Sequence, residues 1–193
     1  MSRWLSIVCN IVVFDALWTM TVVGATKSWW WVAPALIVAS AVVQLRWSPR
    51  PGRESLLIVC AATGVVFDVI ASAIGLFRCE SLSPAGFVIV FGSLWINFGT
   101  TLRPSLRWMW GRPILAAMLG AAGGPAAYWT AVQLGAITMS DQPWRAYAWC
   151  GMQYAVAVPV LCAVASTLLS DAHRSNHPLT ASAGQQRPDR PTS

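Results

Sequence analysis

The chain has 193 residues, of which 56% are hydrophobic and only 10% are charged. A soluble domain carries about 25% charged residues, so a soluble globule of this size is excluded. The formal charge of +6 is scattered over loops and the C-terminal tail, which excludes a nucleic-acid surface and points to membrane topology and anionic lipid head groups.

Residues 5–25 form the first apolar run, with Asn10 and Asp15 inside it. The run is long for a signal-peptide core and Asp15 interrupts its centre, so cleavage is not expected. Residues 29–45 form a second, shorter run opening on Trp29-Trp30-Trp31, which fits indole rings at the head-group level. Residues 56–77 form the third, with Asp68 inside it, and residues 85–102 the fourth, with Asn97. Residues 114–137 form the fifth. It carries Gly120 and Gly124 at small-xxx-small spacing, and Pro125, which predicts a kink. Tyr128, Trp129 and Gln133 follow that kink and are candidates for a ligand wall. Residues 146–169 form the sixth run, with Gln153 and Pro159. Each run approaches the ~20 residues that cross a bilayer as a helix, and none alternates as a barrel strand does.

These runs predict an all-α fold: a polytopic bundle of six transmembrane helices over residues 1–169. A polar, disordered tail is expected over residues 170–193. The basic residues orient the bundle. On a six-span reading, Arg3, Arg46, Arg50, Arg53, Arg103, Arg107, Arg112, Arg174, Arg187 and Arg190 share one side. Lys27, Arg78 and Arg145 hold the other. That asymmetry places both termini in the cytoplasm. Most tryptophans fall at span ends; Trp18, Trp95 and Trp129 fall inside spans and need another partner.

A carboxylate inside a span costs roughly 2.5–3.5 kcal/mol on insertion scales and tends to persist where it has a use. Asp15 lies ~15 Å and Asp68 ~18 Å into their spans at 1.5 Å per residue, so both sit near the midplane. Neither has a lysine, arginine or histidine at that depth. The two carboxylates therefore read as a protonatable site, with Asn97 and Asn10 lining its cytoplasmic approach. A protonated aspartate holding a neighbouring helix together is the simpler alternative. His173 and His177 both lie in the tail, leaving no histidine in the spans. Cys79 and Cys150 share the outer side, where a disulfide is conceivable, and Cys9, Cys60 and Cys162 share the inner half. No metal site and no cofactor are indicated: the chain has no phosphate-binding loop, no G-x-S-x-G, no HExxH and no dinucleotide fingerprint.

Several stretches together resemble a known family. They are Trp95-Ile96-Asn97-Phe98-Gly99-Thr100-Thr101-Leu102, then Ser105-Leu106-Arg107-Trp108, then Leu119-Gly120 and Gly124-Pro125 with Tyr128. Asn10 with Phe14 and Trp18, Gly64 with Asp68, and Gly135-Ala136 fit the same pattern. The family is the bacterial inner-membrane one called domain of unknown function 2878, and the likeness runs over nearly the whole chain except the tail. It implies a small polytopic membrane protein, brings no established activity, and tilts the reading slightly towards lipid-linked work. Asp15 stands where that pattern has an uncharged amide, so Asp68 is the residue that the resemblance carries over.

Three functional readings follow. The first is a membrane protein that binds or moves a small or lipid-like molecule through the protonatable midplane site. The second is an intramembrane enzyme acting on lipid or acyl chains, with Asp68 as general acid or base. The third is an accessory or scaffold subunit that packs through the Gly120/Gly124 face. The expected partners are membrane lipids, with a membrane-protein partner or a second copy in the third case, and no nucleic acid.

Overall fold

The structure is a computed structural model and describes residues 3–47 and 52–174. The described residues form six α-helices: α1 (Arg3–Gly24), α2 (Val32–Trp47), α3 (Arg53–Ala73), α4 (Pro84–Thr101), α5 (Pro113–Gln133) and α6 (Pro143–Arg174). Each predicted run has become one helix. α1, α3, α4 and α6 contain stretches long and apolar enough to cross a membrane. α2 is a shorter apolar helix of 16 residues. α5 has 21 residues, but glycine, Pro125, Thr130 and Gln133 dilute its hydropathy.

α5 carries Pro125 inside one continuous helix, as a single span requires. Two features differ from the expectation. A two-residue antiparallel pair, β1 (Phe77–Arg78) with β2 (Thr138–Met139), interrupts an otherwise helical fold. α6 continues past residue 169 to Arg174; no glycine or proline stops it before Pro178. The expected tail from residue 175 onward, with His177, Arg187 and Arg190, lies outside the described residues, as does Arg50.

α4 is the central helix and packs on α1, α2 and α3, while α6 packs on α3 and α5. α1 rests on α2 and α4 and does not pack along α5. At one end of the bundle, Arg53 donates to the Gln44 side chain at 2.8 Å, tying α2 to α3.

The α3–β1–α4 and α5–β2–α6 hairpins repeat one plan. Arg53 and Pro113 open helices of 21 residues, which close at Ala73 and Gln133. Both helices end with the same three backbone bonds and a glycine at positive φ: Gly75 (75°) and Gly135 (72°). That conformation favours glycine, which has no Cβ to clash. The second helices open on Pro84 and Pro143, each in the first turn, where a missing N–H is harmless.

The packing repeats as well. A Cβ on Gly64 would fall on the Trp95 ring, and one on its counterpart Gly124 would fall on the ring of Tyr154, the counterpart of Trp95. Gly92 faces Val65 as Gly151 faces Pro125. Gly99 faces Cys60, and in the second hairpin the same contact recurs with the glycine on the other helix, Gly120 facing Val158. Arg78 and Thr138, themselves counterparts, pair with each other in the small sheet. Counterpart positions thus meet about an approximate local twofold axis through that pair, but the packing around it is unequal: α3 runs along α6, α4 does not run along α5, and α1–α2 is added on the α4 side.

Candidate functional site

Asp68 sits on α3 close to this axis and has no exposed surface. Three donors from three other helices converge on its carboxylate. Trp95 of α4 donates its indole N–H to Oδ2 at 2.9 Å. Gln153 of α6 donates Nε2–H to Oδ1 at 3.1 Å. The Tyr128 hydroxyl of α5 donates to the same Oδ1. Asp68 and Tyr128 occupy the same position in the two hairpins. A carboxylate has about four acceptor positions, so three donors nearly saturate it and offset the cost of its burial.

The ring framework fixes these donors. Trp95 packs against Tyr154 with ring centroids 4.9 Å apart, and edge-on to Phe98 at 6.0 Å. Tyr128 stands edge-on to Phe77 at 5.3 Å. Gly64 and Gly124 make room for the Trp95 and Tyr154 rings, so the small residues of α3 and α5 are what allow the aromatic donors to reach the axis.

The amide of Gln153 has a second property. Its Oε1 is buried with no hydrogen-bond partner among the described residues. Turning the amide over would present Oε1 to Asp68 Oδ1. That arrangement repels a carboxylate but accepts a hydrogen bond from a protonated carboxyl. Trp95, a pure donor, remains satisfied by Oδ2 in either state. The network can therefore hold Asp68 with or without a proton, and the cost of changing state falls on one rotatable amide.

Beside this network lies a cleft of about 520 Å³ between α1, α4 and α5, within the size range of small-molecule sites. Its walls are mainly apolar and include Phe14, Trp18, Phe91, Phe98, Leu119 and Ala127. It runs lengthwise along the bundle, from Leu106 and Met109 near one end to Leu82 and Ile137 near the other. Asp68 meets it through Trp95 and Tyr128, the two cleft-lining side chains bonded to it. Tyr154 lines it too. Asp15 also stands on the cleft wall, exposed, with no hydrogen bond or ion pair among the described residues. The two carboxylates thus border one cavity without bonding to each other.

The asparagines are placed differently from a shared lining. Asn97, nearly fully buried, donates Nδ2–H to the backbone carbonyl of Phe14 at 3.0 Å. Asn10 accepts from the Ser105 hydroxyl at 2.7 Å. Both clamp α1 to α4 and the segment after it, and neither lines the cleft. Gln133 is exposed at the last residue of α5 and lies outside both cleft and network. Gly120 and Gly124 serve contact with α6 and also line the cleft. Pro125 touches the position of Gly151 across the α5–α6 contact. All five cysteines are free thiols. Trp95 and Gln153 are the residues that sequence reasoning left out of the site. The available signal was an indole inside a span with no interface to sit in, and a buried amide on the facing helix.

The family described as "Protein of unknown function (DUF2878)" matches residues 7–160, and the chain belongs to it. The match covers α2 to α5 whole, α1 but for its first turn, and the first half of α6. No curated protein and no solved structure matches the chain.

Proposed function

We propose that this is a six-span inner-membrane protein with cytoplasmic termini, whose cleft binds or moves a lipid-like molecule beside a protonatable Asp68. The observation that carries this reading is the pairing of an elongated apolar cleft with a nearly saturated carboxylate at its wall. A purely structural aspartate has no need of a neighbouring cavity of about 520 Å³. α1 flanks the cleft without packing along α5, so an apolar chain can enter from the bilayer between them. α2 and α5 complete the set of six spans in spite of their short length or diluted hydropathy, since α5 is paired along α6 and α2 is seated on α4.

Gly123 provides the test. It lines the cleft, and a Cβ there would meet nothing within 4 Å. Gly123→Leu fills the cleft without straining α5. Purified protein in micelles should bind a brominated single-chain amphipath, read as quenching of tryptophan fluorescence. Gly123→Leu should abolish the saturable part of the quenching while leaving Tm unchanged. Equal quenching in both proteins would refute a cleft-bound ligand. For transport, uptake into proteoliposomes should depend on pH and fail in Asp68→Asn; uptake that ignores both would remove the proton from the mechanism.

A further inference from the structure

The polar groups left free in the cleft define the head group of its occupant. We infer that the ligand is a single-chain amphipath with a cationic, ammonium-type head, held at Asp15 with its chain lying along the cleft. This rests on the cleft being a ligand site, as proposed above.

Two independent observations carry it. The first is charge. Asp15 and Asp68 are the charged residues on the cleft wall, and no lysine, arginine or histidine stands among the lining residues. The Asp68 oxygens are taken by Trp95, Tyr128 and Gln153. Asp15 has no partner among the described residues, and a bare carboxylate far from water is costly. An anionic head would meet repulsion there, and a neutral one would leave the charge unpaired.

The second is the aromatic wall. Phe14 and Trp18 stand one residue before and three after Asp15 on α1, and both line the cleft. Across it stand Phe91, Trp95 and Phe98 of α4. The negative faces of aromatic rings attract ammonium groups, and a carboxylate set among rings is the usual way proteins hold such heads. The remainder of the cleft, towards Ala127, Ala131 and Val158, offers mainly apolar surface for the chain, with the hydroxyl-bearing Tyr128, Thr130 and Tyr154 among its uncharged lining.

The test compares heads on one chain length. Dodecyltrimethylammonium, dodecanol and dodecanoate are titrated into the full-length protein in neutral maltoside micelles. Binding is read by native mass spectrometry and by the rise in Tm. The ammonium should bind at roughly tenfold lower concentration than dodecanol, the gain of one cation–π contact plus one ion pair, and dodecanoate should be weakest. Asp15→Asn should erase the ammonium preference, bringing the ammonium to the level of dodecanol; the side chain is exposed, so folding is not at stake. Equal binding of the three heads, a preference for dodecanoate, or an ammonium preference that survives Asp15→Asn would overturn the head-group assignment alone. Failure of every chain to bind, or binding undiminished in Gly123→Leu, would overturn the cleft reading and this inference with it.

Discussion

Adding one methyl group at Gly64 should be among the most damaging small changes available to this chain. A Cβ there would stand 1.9 to 2.1 Å from three atoms of the Trp95 indole. Neither side can yield easily. Gly64 is buried inside α3. Trp95 is 3% exposed, packed on Tyr154 and Phe98, and bonded through its N–H to Asp68. Overpacking a rigid interior costs about 1–3 kcal/mol. Displacing the indole also breaks a hydrogen bond to a carboxylate, about 1.5–3 kcal/mol. Gly64→Ala should therefore lose about 2.5–6 kcal/mol, a fall in Tm on the order of 10 °C by the scaling for domains of this size. Gly123→Ala is the control: its methyl meets nothing within 4 Å, and alanine favours helix by about 1 kcal/mol. The assay is thermal unfolding in micelles, followed by a thiol-reactive dye on the buried Cys60 and Cys162. If the clash is the cause, Trp95→Ala combined with Gly64→Ala will lose less than the sum of the two single losses. A Gly64→Ala protein as stable as wild type, or strict additivity with Trp95→Ala, would refute the packing argument.

Two indoles with buried N–H groups should differ. Trp95→Phe removes a donor from Asp68 and should cost about 1.5–3 kcal/mol, whereas Trp149→Phe removes an N–H with no partner among the described residues and should be near neutral; unfolding midpoints of the pair check this. Cys79 lies between β1 and α4, and burial, with the charge of Asp68 second, pushes its thiol up to about 12. Its raised pKa means the reactive thiolate is scarce at neutral pH and grows as pH approaches that value, so maleimide labelling of Cys79 should stay slow at pH 7–9 and quicken at higher pH; fast labelling of Cys79 at pH 7, read by mass spectrometry, would contradict the raised pKa. Asp68→Tyr places two phenols at the axis and Tyr128→Asp two facing carboxylates, so each should be severely destabilised. The double swap Asp68→Tyr/Tyr128→Asp restores an acid–phenol pair and should recover about 1–3 kcal/mol relative to additivity, an outcome that independent sites would not give.

The helices were legible because an uninterrupted apolar run leaves the backbone no other way to satisfy its polar groups. Asp68 was legible for the opposite reason, as the expensive exception in such a run. Trp95 was half legible: an indole inside a span needs a partner, but only the structure shows that the partner is Asp68. Asn10 and Asn97 were expected at one depth, but Asn97 bonds at the level of Phe14 and Asn10 at the level of Ser105, and both turn to α1–α4 contacts instead of the cleft. Gln133 was chosen because it follows Pro125. The helix does not break there, and Gln133 ends on the surface while Gln153 holds the carboxylate. The repeat was hidden by framing and by chemistry. It relates hairpins of two spans, so comparing halves of three spans misaligns it. Its shared positions, moreover, conserve shape while exchanging identity, as with Asp68 and Tyr128, Trp95 and Tyr154, or the swapped glycines Gly99 and Gly120.

That exchange bears on how the site arose and why it is one-sided. Two hairpins related by a twofold axis bring like positions together, so an acid at one such position would meet an acid at the other. Replacing one by tyrosine turns a repulsion into a hydrogen bond, and the axis becomes the natural seat for a single buried carboxylate. Trp95 and Tyr154 diverge in the same way: the indole N–H reaches Asp68, while the Tyr154 ring faces the cleft. A symmetric pair of hairpins alone would leave the two flanks equivalent. The flanks here are not equivalent: α3 packs along α6 while α4 does not pack along α5, and α1–α2 leans on α4 through Asn97 and Ser105 beside that opening. The opening is the cleft, and the carboxylate that α1 brings to its wall is Asp15. Loosening that lean should therefore alter the cleft before it alters Asp68: Asn97→Leu leaves the Trp95, Tyr128 and Gln153 bonds untouched, and its first effect should be on ligand binding and its head-group preference.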